Sequence, residues 1–341
     1  MIEKMGLMAF ADYVEKNIRE YLPENMRDAE IRCHIVDKPG YYDRDADPMV
    51  GLTVHTAGVG MAPVVYLKGF HQEYQEGKSL RVVLTEIAAR SAKLELPFKG
   101  EELADFVDLM SGSPEKLLPL VRPRLCQKSR VPDSFVSRPC MDLAEIYFFN
   151  FEEKNLTCTI QKSLLARMGF TEAKIEEAAK ENMRKDGPVL LRMGDLTEAM
   201  MFGRKDPDNL LDSAFFQGDD PKLPGMEPGN GLDLFVLTNK EKLFGAVYLA
   251  DKELHDRLYK AFGEYYILPS SVHEVLILPN RQPSTYDAGE LRGMVREVNL
   301  TQVAENEVLS NNIYVNRGEG VKPVFGESLR RDNRIPRHRG R

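Results

Sequence analysis

The chain has 341 residues, of which 43% are hydrophobic and 29% charged. That mix excludes a disordered chain, and the length suits roughly two domains. A net charge of −7 argues against a global binder of nucleic acid or of anionic membranes.

Residues 5–11 form a short apolar patch between Glu3 and Asp12. It lacks the basic start, longer apolar run and cleavage site of a secretory signal. No stretch reaches the ~18–20 apolar residues of a membrane span. The expected location is the cytoplasm, with no membrane partner. Residues 8–22 predict an amphipathic helix, with Phe10, Val14, Ile18 and Leu22 on one face and Pro23 as the stop. Three short strands follow, at Ile31–Val36, Gly51–Thr56 and Pro63–Leu67, the last two as an antiparallel hairpin. Ser79 caps a helix facing inward through Leu80, Val83, Leu84 and Ile87. A second helix presents Leu103, Phe106, Val107 and Met110, and Ser113-Pro114 opens a third.

The middle returns to strands. Val121–Cys126 is one. Met141–Phe151 is apolar on both sides, which predicts a central strand covered on both faces. Asn155–Ile160 is its hairpin partner, and helices follow at Ser163–Met168 and Thr171–Met183. Residues 203–231, with four prolines and five glycines, predict an irregular linker or a lid.

Leu234–Thr238 and Phe244–Leu249 predict a hairpin about Asn239-Lys240. Asp251 caps a helix with Leu254, Leu258 and Phe262 on one face. Strands Tyr265–Leu268 and Val272–Leu278 follow. A capping box, Asp287 to Glu290, opens a helix facing inward through Leu291, Met294, Val295 and Val298. Asn312–Val315 reads as a last edge strand. Residues 328–341 carry six arginines against one aspartate, a local charge of +5 that leaves −12 for the rest. That tail reads as a disordered end, and is the only segment suited to nucleic acid.

These elements predict an α+β fold: antiparallel sheets built from hairpins, with helices packed on them. The expected organisation is an N-terminal α+β region (1–120), a central hairpin-helix region (121–202), the irregular segment (203–231), a C-terminal region (232–316) and the basic tail (317–341). The cysteines, Cys33, Cys126, Cys140 and Cys158, have neither zinc-ligand nor disulfide-framework spacing, and read as reduced, mostly buried thiols. Cys33 precedes His34, but neighbours on a strand point to opposite faces.

Three groups of segments resemble a known family. They are Gly51–Val54 with Ala62–Leu67 and Tyr74–Leu80; Met141–Phe148 with Glu177–Asn182; and Val236–Lys240 with Gly245-Ala246 and Tyr266–Val275. They resemble a domain-of-unknown-function family common in gut clostridia, itself distantly similar to a conserved uncharacterised family of bacilli. The resemblance spans about residues 5–315. It implies a bacterial cytosolic protein with one family-wide architecture, and carries over no catalytic residue.

The chemistry that can be read is narrow. No phosphate-binding P-loop, HExxH, GxSxG or calcium loop is present, and no cofactor or metal is expected. Gly58-Val59-Gly60 begins like a dinucleotide fingerprint, but Pro63 replaces its third glycine and a strand follows, so it reads as a turn. The acids beside Tyr41-Tyr42 read as a solvated turn. One cluster stands out: Ser270, Ser271, His273 and Glu274, after Pro269. In one reading it is a turn whose serine hydroxyls satisfy backbone groups. In the other these residues face a pocket with Thr238 and Asn239. There they either bind a ligand or partner, or act as nucleophile and base of a hydrolase. The sequence favours a non-enzymatic binding protein and leaves the hydrolase and the nucleic-acid tail as alternatives.

Overall fold

The computed structural model describes residues 4–36, 48–55, 63–93, 112–152, 156–213, 216, 234–280 and 286–325. The helix expected at Leu103–Met110, the acids beside Tyr41-Tyr42, the Gly58–Gly60 turn, most of 203–231 and the Arg-rich tail lie outside these residues. The chain divides into two units, Met1–Leu117 and Leu118–Arg341, with separate apolar cores.

In the first unit the four-residue spacing of Phe10, Val14, Ile18 and Leu22 builds α1 (Leu7–Asn17) and a following 3-10 turn (Ile18–Tyr21), and all four side chains are buried. They pack on an antiparallel sheet of β1 (Glu30–Ile35), β2 (Val50–His55) and β3 (Val64–Tyr66), in that order. α2 (Lys68–Gln75) and α3 (Leu80–Lys93) complete the layer, with Val83, Leu84 and Ile87 buried as the spacing predicts. On β1, Cys33 packs against the core while His34 is exposed. Burial, reinforced by Glu15 and Asp12, pushes the Cys33 thiol up to about 12.

The second unit holds two sheets. In the first, β6 (Leu143–Phe151) lies between β4 (Val121–Gln127) on one side and β5 (Ser137–Cys140) and β7 (Leu156–Thr159) on the other. All nine residues of β6 are buried, as an apolar run on both faces requires. After α4 (Lys162–Met168), α5 (Glu172–Asp186) packs along β4, its N-terminus capped by the Thr171 hydroxyl.

The second sheet contains β8 (Val189–Arg192), β9 (Phe235–Thr238), β10 (Tyr265–Pro269), β11 (Val275–Pro279), β12 (Ile313–Asn316) and β13 (Val321–Val324). Its order is β13-β12-β10-β11-β9-β8, and every pairing is antiparallel. α6 (Met193–Met201) follows β8, α7 (Lys252–Phe262) precedes β10, and α8 (Ala288–Thr301) precedes β12. One face of the sheet packs on α7 and the 3-10 segment Gly245–Ala250, and the other on α8. The fold is α+β, with antiparallel sheets and packed helices.

Four element readings are corrected. Phe244–Leu249 is not a strand paired with β9: Gly245–Ala250 is a buried 3-10 helix, and β9 pairs with β8 and β11. The Asn312–Val315 strand is not an edge, because β13 lies outside it. On α8, Leu291 and Val295 are buried, but Met294 and Val298 are exposed and Asn299 turns inward. Of the four thiols only Cys126 is buried; the others are intermediate and all four are free.

Candidate binding groove

Five of the six residues singled out by sequence, Thr238, Ser270, Ser271, His273 and Glu274, meet at the tight connection between β10 and β11. Ser271 N–H donates to the Glu274 carbonyl (3.2 Å), closing the turn. The Ser271 hydroxyl accepts the His273 N–H (3.0 Å), and the Ser270 hydroxyl donates to the Glu274 carboxylate (3.0 Å). Thr238, buried at the end of β9, donates its hydroxyl to the His273 carbonyl (2.8 Å). Asn239 clamps the next loop: its amide donates to the Leu243 carbonyl (2.8 Å) and accepts the Leu243 N–H (3.0 Å). A side chain at Gly245 would bring Cβ within 2.7 Å of the Asn239 nitrogen, so the clamp needs glycine there.

The His273 ring faces away from the serines. Its Nδ1 accepts the Phe244 N–H (3.2 Å), its plane stacks on the Phe244 ring at 5.2 Å, and its Nε2 lies 3.8 Å from Glu307 Oε1. Burial, more than the Arg124 charge that acts with it, holds the imidazole pKa below its ordinary value, against the opposing pull of Glu307 and Glu274. Neither serine hydroxyl bonds the imidazole, so this geometry has no nucleophile–base pair.

A cavity of about 170 Å³ opens elsewhere in the same unit, lined by Arg138 of β5, Glu145 of β6, Lys180 and Arg184 of α5, Val247, and Lys252 at the start of α7. A second, smaller cavity of about 20 Å³, room for one water, shares the wall residues Pro123, Met183 and Val247 with it and is lined also by Asn239 and Phe244. The larger of the two, over Glu145, is the candidate binding groove. Of the six predicted site residues Asn239 lines the smaller cavity, while Thr238, Ser270, Ser271, His273 and Glu274 line neither.

The floor is a charged array. Glu145 stands opposite Arg138 in register. Its Oε1 accepts from Arg138 Nε (3.0 Å) and the Tyr147 hydroxyl (2.9 Å), and its Oε2 from Arg138 Nη2 (3.0 Å). These bonds raise the Arg138 pKa, while burial and then the Glu145 charge raise that of Tyr147, so Tyr147 stays a donor. At the rim, Arg184 meets Glu253 at 3.6 Å and Lys252 holds Asp256 at 2.9 Å. Asp251 also lines the cavity and caps α7 by accepting the Leu254 N–H (3.1 Å). Among the described residues Lys180 has no carboxylate partner. Among the described residues no serine, cysteine or histidine lines the cavity. Its lining mixes four cations, Arg138, Lys180, Arg184 and Lys252, with three carboxylates, Glu145, Asp251 and Glu253, and so suits a polar ligand.

Sequence reasoning missed Arg138, Glu145 and Lys180. A signal was present for one: Glu145 is the sole charged residue in the run 143–151, and an acid on a doubly covered strand needs a partner.

The fold and groove define an α+β protein with antiparallel sheets and a charged cleft. The chain belongs to a family of unknown function, DUF5688, whose model matches residues 7–317, as the segment resemblance implied. No curated protein and no solved structure matches it.

Proposed function

We propose that this is a non-catalytic binding protein that holds a small anionic ligand, one bearing a carboxylate or phosphate, in the groove over Glu145. The observation that carries the reading is Lys180, an exposed cation with no carboxylate partner among the described residues, at a cavity where Arg138, Arg184 and Lys252 also converge. The first turn of α7 adds its positive helix end to the same wall. We further place the protein in a bacterial cytoplasm. Four free cysteines support a reducing compartment, and among the described residues no helix is long and apolar enough to cross a membrane.

Amine-reactive labelling read by mass spectrometry tests the groove. At ten times its Kd, inorganic phosphate should slow acylation of Lys180 about tenfold and leave the exposed Lys128 unchanged. Equal rates at Lys180 with and without phosphate, or equal slowing at both lysines, would overturn the reading.

A further inference from the structure

We propose that Arg124 anchors a second, internal oxyanion site, distinct from the cavity over Glu145, which takes the carboxylate or phosphate group of a ligand on its guanidinium. Arg122 and Arg124 lie two residues apart on β4, on the same face. Arg122 is matched: it forms a two-pronged pair with Asp186 and donates to the Pro119 carbonyl. Arg124 is not. It is 9% exposed, its Nε is buried without an acceptor, and among the described residues no carboxylate pairs with it. Its guanidinium carbon lies 4.2 Å from the ring centroid of Phe244.

A cation–π contact offsets only part of the cost of burying a guanidinium, which a hydrogen-bonded counter-charge would otherwise meet. The surroundings are built to hold that contact. Phe244 sits in the left-handed region at φ 57°, fixed by the Asn239 clamp on Leu243 and by its own N–H to His273. A loop so restrained keeps the ring against Arg124 whether or not a ligand is present. The site takes an oxyanion because guanidinium N–H groups match its geometry.

The His273 ring reports on it. The groups acting on that ring are Arg124, Glu307 and Glu274, and Arg124 is the one that favours the neutral form. An oxyanion on Arg124 neutralises this effect and raises the His273 pKa.

The test titrates inorganic phosphate at constant ionic strength into the wild type, Arg124→Met and Lys180→Met, reading Tm, and follows the His273 ring by NMR in the wild type. In the expected result the wild type and Lys180→Met gain Tm with phosphate, Arg124→Met loses that part of the gain, and the His273 pKa rises. Without phosphate, Arg124→Met should match or exceed the wild type in Tm, since an unpaired buried charge is gone. An undiminished phosphate response in Arg124→Met, or a His273 pKa that phosphate does not move, overturns the proposal. The NMR arm stands even if Arg124→Met fails to fold. Loss of Lys180 protection in the labelling experiment would sink the groove reading and leave this one intact.

Discussion

Tyr265 and Tyr147 are both fully buried in the second unit, and their hydroxyls are treated in opposite ways. The Tyr265 hydroxyl lies 2.7 Å from His255 Nδ1 and accepts from the Asn316 amide at 3.0 Å, while the same amide donates to the His255 carbonyl at 3.1 Å. No member of that array carries a charge when the histidine is neutral. The Tyr147 hydroxyl instead donates to a carboxylate, which is balanced by an arginine whose side chain is 49% exposed. The sealed array is neutral, and the charged one lies where a cavity reaches it. The difference follows from desolvation: a charge in a closed core needs its partner in the core too, whereas at a cavity wall the partner can keep its hydration.

The widest separation between the two arrays should appear with pH. His255 is fully buried, and burial pulls its pKa from about 6.5 down to about 4. The unfolded state therefore binds the proton first. Stability is fully present above about pH 6.5 and falls as the pH drops toward 4, by about 3 kcal/mol in all. Urea unfolding between pH 7 and 4 should show that loss in the wild type, and a much flatter profile over this window in His255→Gln. Equal slopes in the two proteins would mean that the sealed array is not the acid-sensitive element.

The charged array should respond to loss of charge instead. Glu145→Gln keeps the shape and an acceptor for Tyr147, but it weakens both Arg138 hydrogen bonds. Because Arg138 is half exposed, solvent takes up much of the lost interaction, and the expected cost at pH 7 is about 2 kcal/mol. Urea midpoints measure it. A cost near zero would show that Glu145 serves the groove and not the fold.

The legible parts of the fold are those in which a local pattern and the tertiary setting agree. β6 read as central because both its faces are buried, and α8 announced its start because Asp287 accepts the N–H groups of Gly289 and Glu290. The Phe244–Leu249 run misled because a fully buried segment has no exposed face, and so no period, to separate strand from 3-10 helix. Val189–Arg192 and Val321–Val324 went unread since four residues are too few for alternation to show; the second also carries Pro323, which an edge strand tolerates. The site followed the same rule. The turn at Ser270–Glu274 is local, so its residues could be named from sequence. Arg138, Glu145, Lys180 and Lys252 are brought together by strand register and by α5 and α7, which residue spacing does not encode.

The smallest effect separates the turn from the groove. In the turn, the Ser271 hydroxyl does the work of one backbone acceptor, taking the His273 N–H at 3.0 Å. Ser271→Ala leaves that N–H to a half-buried environment and should cost about 1 kcal/mol. Ser270→Ala removes a part-buried side-chain bond whose Glu274 partner is a flexible side chain that can turn to water, and should cost less than about 1 kcal/mol. Neither serine lines the groove, so phosphate protection of Lys180 should be the same in both variants as in the wild type. Thermal unfolding and the labelling assay together decide it. If Ser271→Ala kept its stability but lost protection of Lys180, the turn would be acting on the ligand and not on its own backbone, and the division between a structural turn and a binding groove would fail.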